Sequence, residues 1–314
     1  MDADETRRRT DRVDADRIRH DVFYLAKDPL PFRKLNYTVP GHEKCTLYEA
    51  DDFLRRELEA AGWSVDAEGV QVQAFRCDAS KPKAQQYSPP APDDPWYTAY
   101  NLWARRQGRR HPDEIIQLCA HKDSQSWVDS PGAHDNAGGT AGLLELARVL
   151  ADYEPERSLR LLFCNEEHTP WTSVAAARGC RARGDDLIAV LNCDGFGARS
   201  EAQAQADEKS NGIRYTCDES RWLADLIVEM NERYGIGLTQ YVARRDRPGD
   251  DDGSFVNAGY ASAVFHGGNG AGVYPYYHRE DDVPEHVDVD SVRRLVQVTA
   301  ATVLHLDRRG APRV

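Results

Sequence analysis

An α/β architecture, a mostly parallel central sheet flanked by helices on both faces, is what this sequence predicts, on three observations. Short apolar runs bounded by polar residues recur through its length: IIQLCA (115–120), LRLLFC (159–164), DLIAVLNCD (186–194) and YASAVFHG (260–267). Runs of this kind mark strands buried on both sides. Between them lie segments with apolar residues at helical spacing: GLLELARVLADY (142–153), VAAARGC (174–180) and SRWLADLIVEMNERYG (220–235). Strands alternating with helices imply a parallel sheet with covered faces. Finally, the 314 residues are 40% hydrophobic, enough to build a sizeable core.

Taken in order, the charged start MDADETRRRTDRVDADRIRH is read as frayed, with a short helix in DRIRHDVFYLAK. TLYEADDFLRRELEAA (46–61) has helical periodicity, and Gly62 follows as a stop signal. WSVDAEGVQVQAF alternates like strands, and TAYNLWARRQG is a strand that stops at Gly108. Residues 77–96, rich in proline and polar residues, read as an exposed loop. Residues 199–212 read as a polar excursion, and VDSVRRLVQVTAATVLHL closes the chain as a helix. No internal repeat or domain boundary is visible. Residues 1–314 are expected to form a single domain, with 1–95 as a helical and strand extension packed on the sheet.

A net charge of −12 argues against nucleic acid or an anionic membrane as the main partner. The seven cysteines include no CxxC and no Cys/His pair at zinc-finger spacing. The chain has no apolar segment long enough to span a bilayer and no secretory signal, so a soluble cytoplasmic protein is expected.

The chemistry collects at the strand ends, where open α/β sheets place their sites. IIQLCA ends in His121, Lys122 and Asp123; LRLLFC ends in Asn165, Glu166 and Glu167; DLIAVLNC ends in Asp194. PGAHDNAGG carries Asp135 before a glycine-rich helix entry, and a Gly-rich loop after YASAVFHG leads to His278 in YYHREDD. Singly, each has an ordinary reading as a cap, turn or structural residue. Together, so many anions repel unless a cation is shared. Imidazole and carboxylate ligands suit zinc, and five exceed what one tetrahedral catalytic zinc needs. Two metals sharing one bridging carboxylate use all five.

In its order of fragments, LCAHKDS, PGAHDNAGGTAGLLELARVL, LLFCNEEHTPWTS, AVLNCDGFG, DDDGSFVNAGYAS and YYHREDD, the chain resembles the di-zinc aminopeptidase family, which includes bacterial leucyl and tripeptide aminopeptidases. The resemblance runs over roughly residues 98–285 and implies the zinc-exopeptidase (phosphorylase/hydrolase-like) fold and a peptide substrate. It implies that Asp135 bridges two zinc ions, with His121 and Asp194 completing one site and Glu167 and His278 the other. Glu166 matches the general base and Asp123 a supporting carboxylate beside the first site. Asp251 and Asp282 match further acidic positions. Tyr277 matches a position where some relatives use a hydroxyl on the oxyanion, and packing is the other reading of it.

The sequence departs from the family after the paired glutamates, where HTPWTS replaces a Gly- and Leu-rich turn, and at Asp252, commonly a histidine. The spare histidines His134, His168 and His266 read as turn or pocket residues. The runner-up reading is a glutaminyl-cyclase-like acyltransferase with one zinc. Carboxypeptidase or dipeptidase specificity on the same site is a further alternative, and a non-catalytic binding module is the third class.

Overall fold

The computed structural model describes residues 3–312 apart from 79, 83, 84 and 269–273; the expected Gly-rich loop before His278 falls mostly outside the described residues. In chain order the elements are α1 (Ala3–Thr10), α2 (Ala15–Ala26), α3 (Thr46–Ala60), β1 (Ser64–Gln73), β2 (Arg76–Cys77), β3 (Tyr87–Ser88), β4 (Trp96–Arg106) and β5 (His111–His121). There follow α4 (Gly138–Val149), β6 (Arg157–Cys164), α5 (Thr172–Arg183), β7 (Asp186–Asp194), α6 (Glu201–Gln205) and β8 (Ser210–Tyr215). The chain closes with α7 (Arg221–Tyr234), β9 (Thr239–Arg244), α8 (Asp250–Asn257), β10 (Ala263–Gly267) and α9 (Val289–Arg309).

Eight strands form one sheet in the order β1-β4-β6-β5-β7-β10-β8-β9. Its centre, β6-β5-β7-β10, is parallel, as the alternation of strands and helices predicts. The apolar runs of β5, β6 and β7 are continuous because alternate side chains serve two cores. Ile116, Leu118 and Ala120 of β5 face the same core as Leu159, Leu161 and Phe163 of β6, under α2, α3, α4, α7 and α9. Ile115 and Cys119 join Leu162 and Cys164 on the opposite face, under α5 and α8. Each such fully buried Leu or Ile contributes about 1.5–3 kcal/mol relative to an exposed one.

Residues 1–95 are tied into this frame. β1 pairs antiparallel with β4 through ten residues, from Ser64↔Arg105 to Gln73↔Trp96. The Asp14 side chain caps α2 by accepting from the Asp16 and Arg17 amides. Arg17 of that helix binds the buried Glu145 of α4 at 2.6 Å. The charged start is not frayed: α1 is helical, with Arg9 and Arg12 each 2.8 Å from Asp152. Tertiary contact, not helix propensity, orders so short a segment.

Three further elements differ from expectation. Residues 210–215, which begin inside the expected polar excursion of 199–212, are a sheet strand whose polar residues Ser210 and Asn211 are buried. TQYVAR forms the exposed edge strand β9, parallel to β8. The proline-rich loop holds the two-residue pair β2–β3, and its Tyr87 packs on Phe75 and Trp127 at ring distances of 4.7 Å. None of the described helices is long and apolar enough to cross a membrane.

Candidate metal centre

The parallel strands β5, β6 and β7 stop side by side, so the residues just past their ends share one edge. His121 closes β5, and its Nε2 lies 3.0 Å from Asp135 Oδ1 and 3.6 Å from Asp194 Oδ1 at the end of β7. Asp135 comes from the turn that starts α4; it and Asn136, joined by a cis peptide, leave the helical region there. Its second oxygen, Oδ2, lies 3.0 Å from His278 Nε2, which in turn is 3.1 Å from Glu167 Oε1. The donor atoms thus fall into two groups of three, His121–Asp135–Asp194 and Asp135–Glu167–His278, each within 4.8 Å of one another. Asp135 belongs to both.

The electrostatics of the two groups ask for positive charge. Burial pushes the His121 imidazole down, yet Asp123, Asp135 and Asp194 outweigh it and raise its pKa well above the ordinary value. His278 is likewise pulled down by burial and raised by Glu167 and Asp135, to about 10. Burial pushes the Asp135 carboxyl up, and the two imidazoles hold it well below the carboxylate range. Protons on the two imidazoles would meet that demand, and a pair of divalent cations in the same donor set would meet it equally. Two imidazoles with three carboxylates is a donor set that fits zinc.

The neighbours of the cluster are held by a small number of buried groups. Asp123 accepts from the backbone N–H of Glu166 and of Glu167, both at 2.9 Å. Its carboxylate also faces His121 Nδ1 at 3.3 Å and His168 Nδ1 at 2.9 Å. One buried carboxylate therefore orients a ring of the cluster and fixes the turn that carries both glutamates. Burial pushes Asp123 up, but the two imidazoles hold it well below the usual range. His168, the first residue of the departing HTPWTS segment, accepts at Nε2 from Leu35 N at 3.4 Å. Thr169 pairs with Gln73 through both backbone bonds, which docks that segment on the end of β1.

The two glutamates diverge. Glu167 is buried and faces His278 and Gln125 Nε2, the latter at 3.0 Å. Glu166 is half-buried, and its Oε2 is shut off from solvent with no hydrogen-bond partner among the described residues. Burial, then the neighbouring Asp251 carboxylate, push the Glu166 pKa well above the ordinary value. Asp251 sits behind it, accepting from Cys164 Sγ at 3.0 Å. Glu166, with His121, Asp135, Glu167 and Asp194, lines a cavity of about 140 Å³. Tyr277 lines it too, stacked on His278 with ring centroids 3.8 Å apart.

The spare histidines lie elsewhere. His134 turns away to Asp282 at 2.5 Å, and Asp282 also accepts from the backbone N–H of His134 and Asp135. Asp282 thus anchors the turn that carries Asp135. His266 is in the core against Thr299 Oγ1 at 2.8 Å. Asp252 pairs with Arg245.

Sequence reasoning missed four supporting groups. Gln125 donates to Asp135 Oδ2 and Glu167 Oε1, and its position two residues beyond Asp123 was the available signal. Asn136 donates to Cys193 O and accepts from Gly139 N and Gly195 N, tying the Asp135 turn to the strand end that carries Asp194. Lys122 points to the opposite face from His121, where its Nζ lies 2.8 Å from Asp51 and from Asn165 Oδ1. Arg33 has no sequence signal at all. It is fully buried, and its guanidinium donates to four backbone carbonyls: Lys122 and Leu25 at 2.6 Å, Pro131 at 2.7 Å and Gly132 at 2.8 Å.

Arg33 therefore clamps the segment after His121 to the segment before Asp135. Each buried carbonyl left without a donor costs about 1–3 kcal/mol. Arg33→Met is expected to lower unfolding free energy by more than about 4 kcal/mol on that basis, with partial recovery in Arg33→Lys. Chemical denaturation measures it, and a loss below about 1 kcal/mol would contradict the clamp.

Comparison with known proteins gives the fold and the family. The crystal structure of the Legionella pneumophila LapA aminopeptidase superposes with a TM-score of 0.74 at 16% identity, covering 98% of this chain and 75% of that one. A "Probable zinc metalloprotease" of Pyrenophora teres f. teres is 26% identical over 256 residues, 68% of this chain and 53% of that protein. "Aminopeptidase YwaD" of Bacillus subtilis is 26% identical over 200 residues, 62% of this chain and 41% of that protein. The chain spans about half the length of the curated relatives it matches. A family model matches residues 101–303, the stretch that carries both donor groups and both glutamates, and the chain belongs to peptidase family M28.

Proposed function

We propose that this chain is a zinc-dependent exopeptidase that removes residues from the amino end of peptides, with Glu166 as general base. The observation that carries the reading is the division of labour at the cluster. Five donors form two groups joined at Asp135, while Glu166 lines the same cavity outside both groups, with a buried carboxylate oxygen that has no partner among the described residues. A purely structural metal site has no use for such a carboxylate. The name of the YwaD relative, an aminopeptidase, supports the reaction, and that of the Pyrenophora relative, a probable zinc metalloprotease, supports the metal.

In this proposal His121, Asp135 and Asp194 hold one zinc ion, and Asp135, Glu167 and His278 hold the other. What zinc supplies when bound is Lewis acidity, which polarises the scissile carbonyl and acidifies water toward neutrality. Glu166 takes a proton from the attacking water as the carbon–oxygen bond forms, and returns it to the amine nitrogen as the carbon–nitrogen bond breaks. Burial and Asp251 raise its proton affinity, which suits a group that must hold that proton between the two steps. Asp123 holds the turn so that Glu166 and Glu167 cannot exchange roles, since both their backbone amides donate to it. Tyr277, on the cavity wall, is assigned to the developing oxyanion.

The test is digestion of a mixed peptide library by the zinc-loaded protein, read by mass spectrometry. The proposal expects ladders shortened from the amino end, no trimming of the same peptides after N-acetylation, and loss of trimming with a chelator. Trimming from the carboxyl end, or unimpaired attack on acetylated peptides, would overturn the assignment of the end.

A further inference from the structure

The N-terminal extension does more than brace the sheet, because it brings an aromatic surface up to the donor cluster. Phe75 follows the end of β1, and Tyr87 stands on β3 in the proline-rich loop. Trp127 lies four residues beyond Asp123. The three rings pack on one another, with centroids 4.7 Å apart for Phe75–Tyr87, 4.9 Å for Phe75–Trp127 and 4.7 Å for Tyr87–Trp127. Trp127 in turn meets the ring of His278, a proposed metal donor, edge-on at 5.3 Å. Burial and then the Glu167 carboxylate raise the pKa of the Tyr87 hydroxyl, so this ring lies within the field of the same donor group.

This wall is fixed to the site and yet left open to solvent. The Phe75 amide donates to Ser126 Oγ at 3.0 Å, and Gln73 pairs with Thr169, two residues beyond Glu167. Tyr87 is nonetheless 44% exposed, and Phe75 and Trp127 are half-buried. Closing the loop does not depend on the rings. Arg76 binds Asp94 through hydrogen bonds of 2.6 and 2.8 Å, and Gln73 Nε2 donates to the Ala91 and Asp94 carbonyls. Aromatic rings grouped in the open beside a reaction centre are suited to cover an apolar part of its ligand.

The position of the wall selects that part. The cavity that holds Glu166 and four of the donors is about 140 Å³, and Trp127 is not among the described residues that line it. Trp127 instead lines a separate hollow of about 330 Å³, with Tyr37 and Gln86. An amino-terminal residue has no chain before it and fits the smaller cavity. The residue after the scissile bond has to carry the peptide outward, and the exposed wall beside His278 lies where such a side chain can rest.

We propose that Phe75, Tyr87 and Trp127 form the subsite for the residue that follows the scissile bond, and that preferred substrates carry an aromatic side chain there. The proposal rests on the peptidase reading above. Two of its three rings, Phe75 and Tyr87, precede the stretch that the family model matches.

The experiment compares initial rates of the first cleavage by the zinc-loaded protein. Ala-Phe-Ala amide against Ala-Ala-Ala amide tests the wall; Phe-Ala-Ala amide against Ala-Ala-Ala amide is the control for the amino-terminal side chain. The first pair is expected to favour phenylalanine by about fivefold to twentyfold in kcat/KM, the range for covering one side of an aromatic ring. In Tyr87→Ala and in Trp127→Ala that ratio should fall toward one while the control ratio stays as in wild type, and Trp127→Phe should keep most of the preference. Circular dichroism and zinc content establish that the variants are folded and loaded. No preference in the first pair, a preference that survives both alanine variants, or variants that change the control ratio instead overturn the proposal while leaving the peptidase reading intact. If no peptide is cleaved, the peptidase reading fails, and calorimetric titration with the two peptides of the first pair decides the wall by itself. Tighter binding of Ala-Phe-Ala amide that Tyr87→Ala abolishes supports it, and equal binding of the two peptides refutes it.

Discussion

Glu166→Gln is expected to bind as much zinc as the wild-type protein and to lose hydrolysis by a factor of about 10²–10⁴, the usual contribution of a positioned general base. The substitution keeps the size of the side chain and removes only its capacity to accept a proton. Glu166 stands outside both donor groups, so no metal ligand is lost with it. Its Oε2 has no hydrogen-bond partner among the described residues, so neutralising that oxygen leaves none of them unpaired. The variant is therefore expected to fold with the wild-type thermal midpoint or above it, because a buried carboxylate beside Asp251 is itself unfavourable. Turnover close to wild type would remove Glu166 from the mechanism. Loss of zinc together with turnover would move it from base to ligand.

The paired glutamates also show what local sequence can carry. β5, β6 and β7 are buried on both faces, so each is a largely apolar run, interrupted by Gln117, Arg160 and Asn192, and the cluster of polar and charged residues after each run marks where the chain leaves the sheet. His121, Glu166, Glu167 and Asp194 are legible for that reason. Asp135 and His278 lie on loops, where no periodicity marks them: their place beside the strand ends makes them candidates, and the resemblance to a family gives them their roles. One feature behind the proposed division between Glu166 and Glu167 is in no pattern: Asp123 accepts from both their backbone amides and holds the turn that carries them.

Other features were not legible. β8 reads SNGIRY, with Ile213 and Tyr215 its apolar residues, yet all but Arg214 are buried, because neighbouring strands supply the covering. β9 is an exposed edge whose pattern carries no burial signal. Arg33 lies 88 residues before His121 in the chain and is satisfied by carbonyls alone, so neither spacing nor a complementary charge announces it.

The second large effect concerns Asp135, whose oxygens face different histidines, Oδ1 toward His121 and Oδ2 toward His278, each at 3.0 Å. Asp135→Asn replaces one of these acceptors with an N–H₂ donor and removes the charge that both groups share. Loss of a group that merely supports a ligand typically costs 10–100-fold in metal affinity, on the order of 10²-fold at most. Loss of the shared carboxylate is expected to exceed that at both positions, because one group loses its third donor and the other keeps only a neutral amide oxygen in its place. Stability should fall with the metal, since ions that bind only the folded state stabilise it by mass action. Asp194→Asn, by contrast, is expected to weaken only the position that it shares with His121.

The most direct test of the central claim is the zinc content per chain of the wild-type protein and of Asp135→Asn, each loaded with zinc, freed of excess metal and measured by elemental analysis. The account predicts about two zinc ions per wild-type chain, as a shared-carboxylate pair requires, and near-complete loss of both in the variant. One zinc ion per wild-type chain, or a variant that keeps two, would contradict it, and the former would favour the one-metal acyltransferase reading.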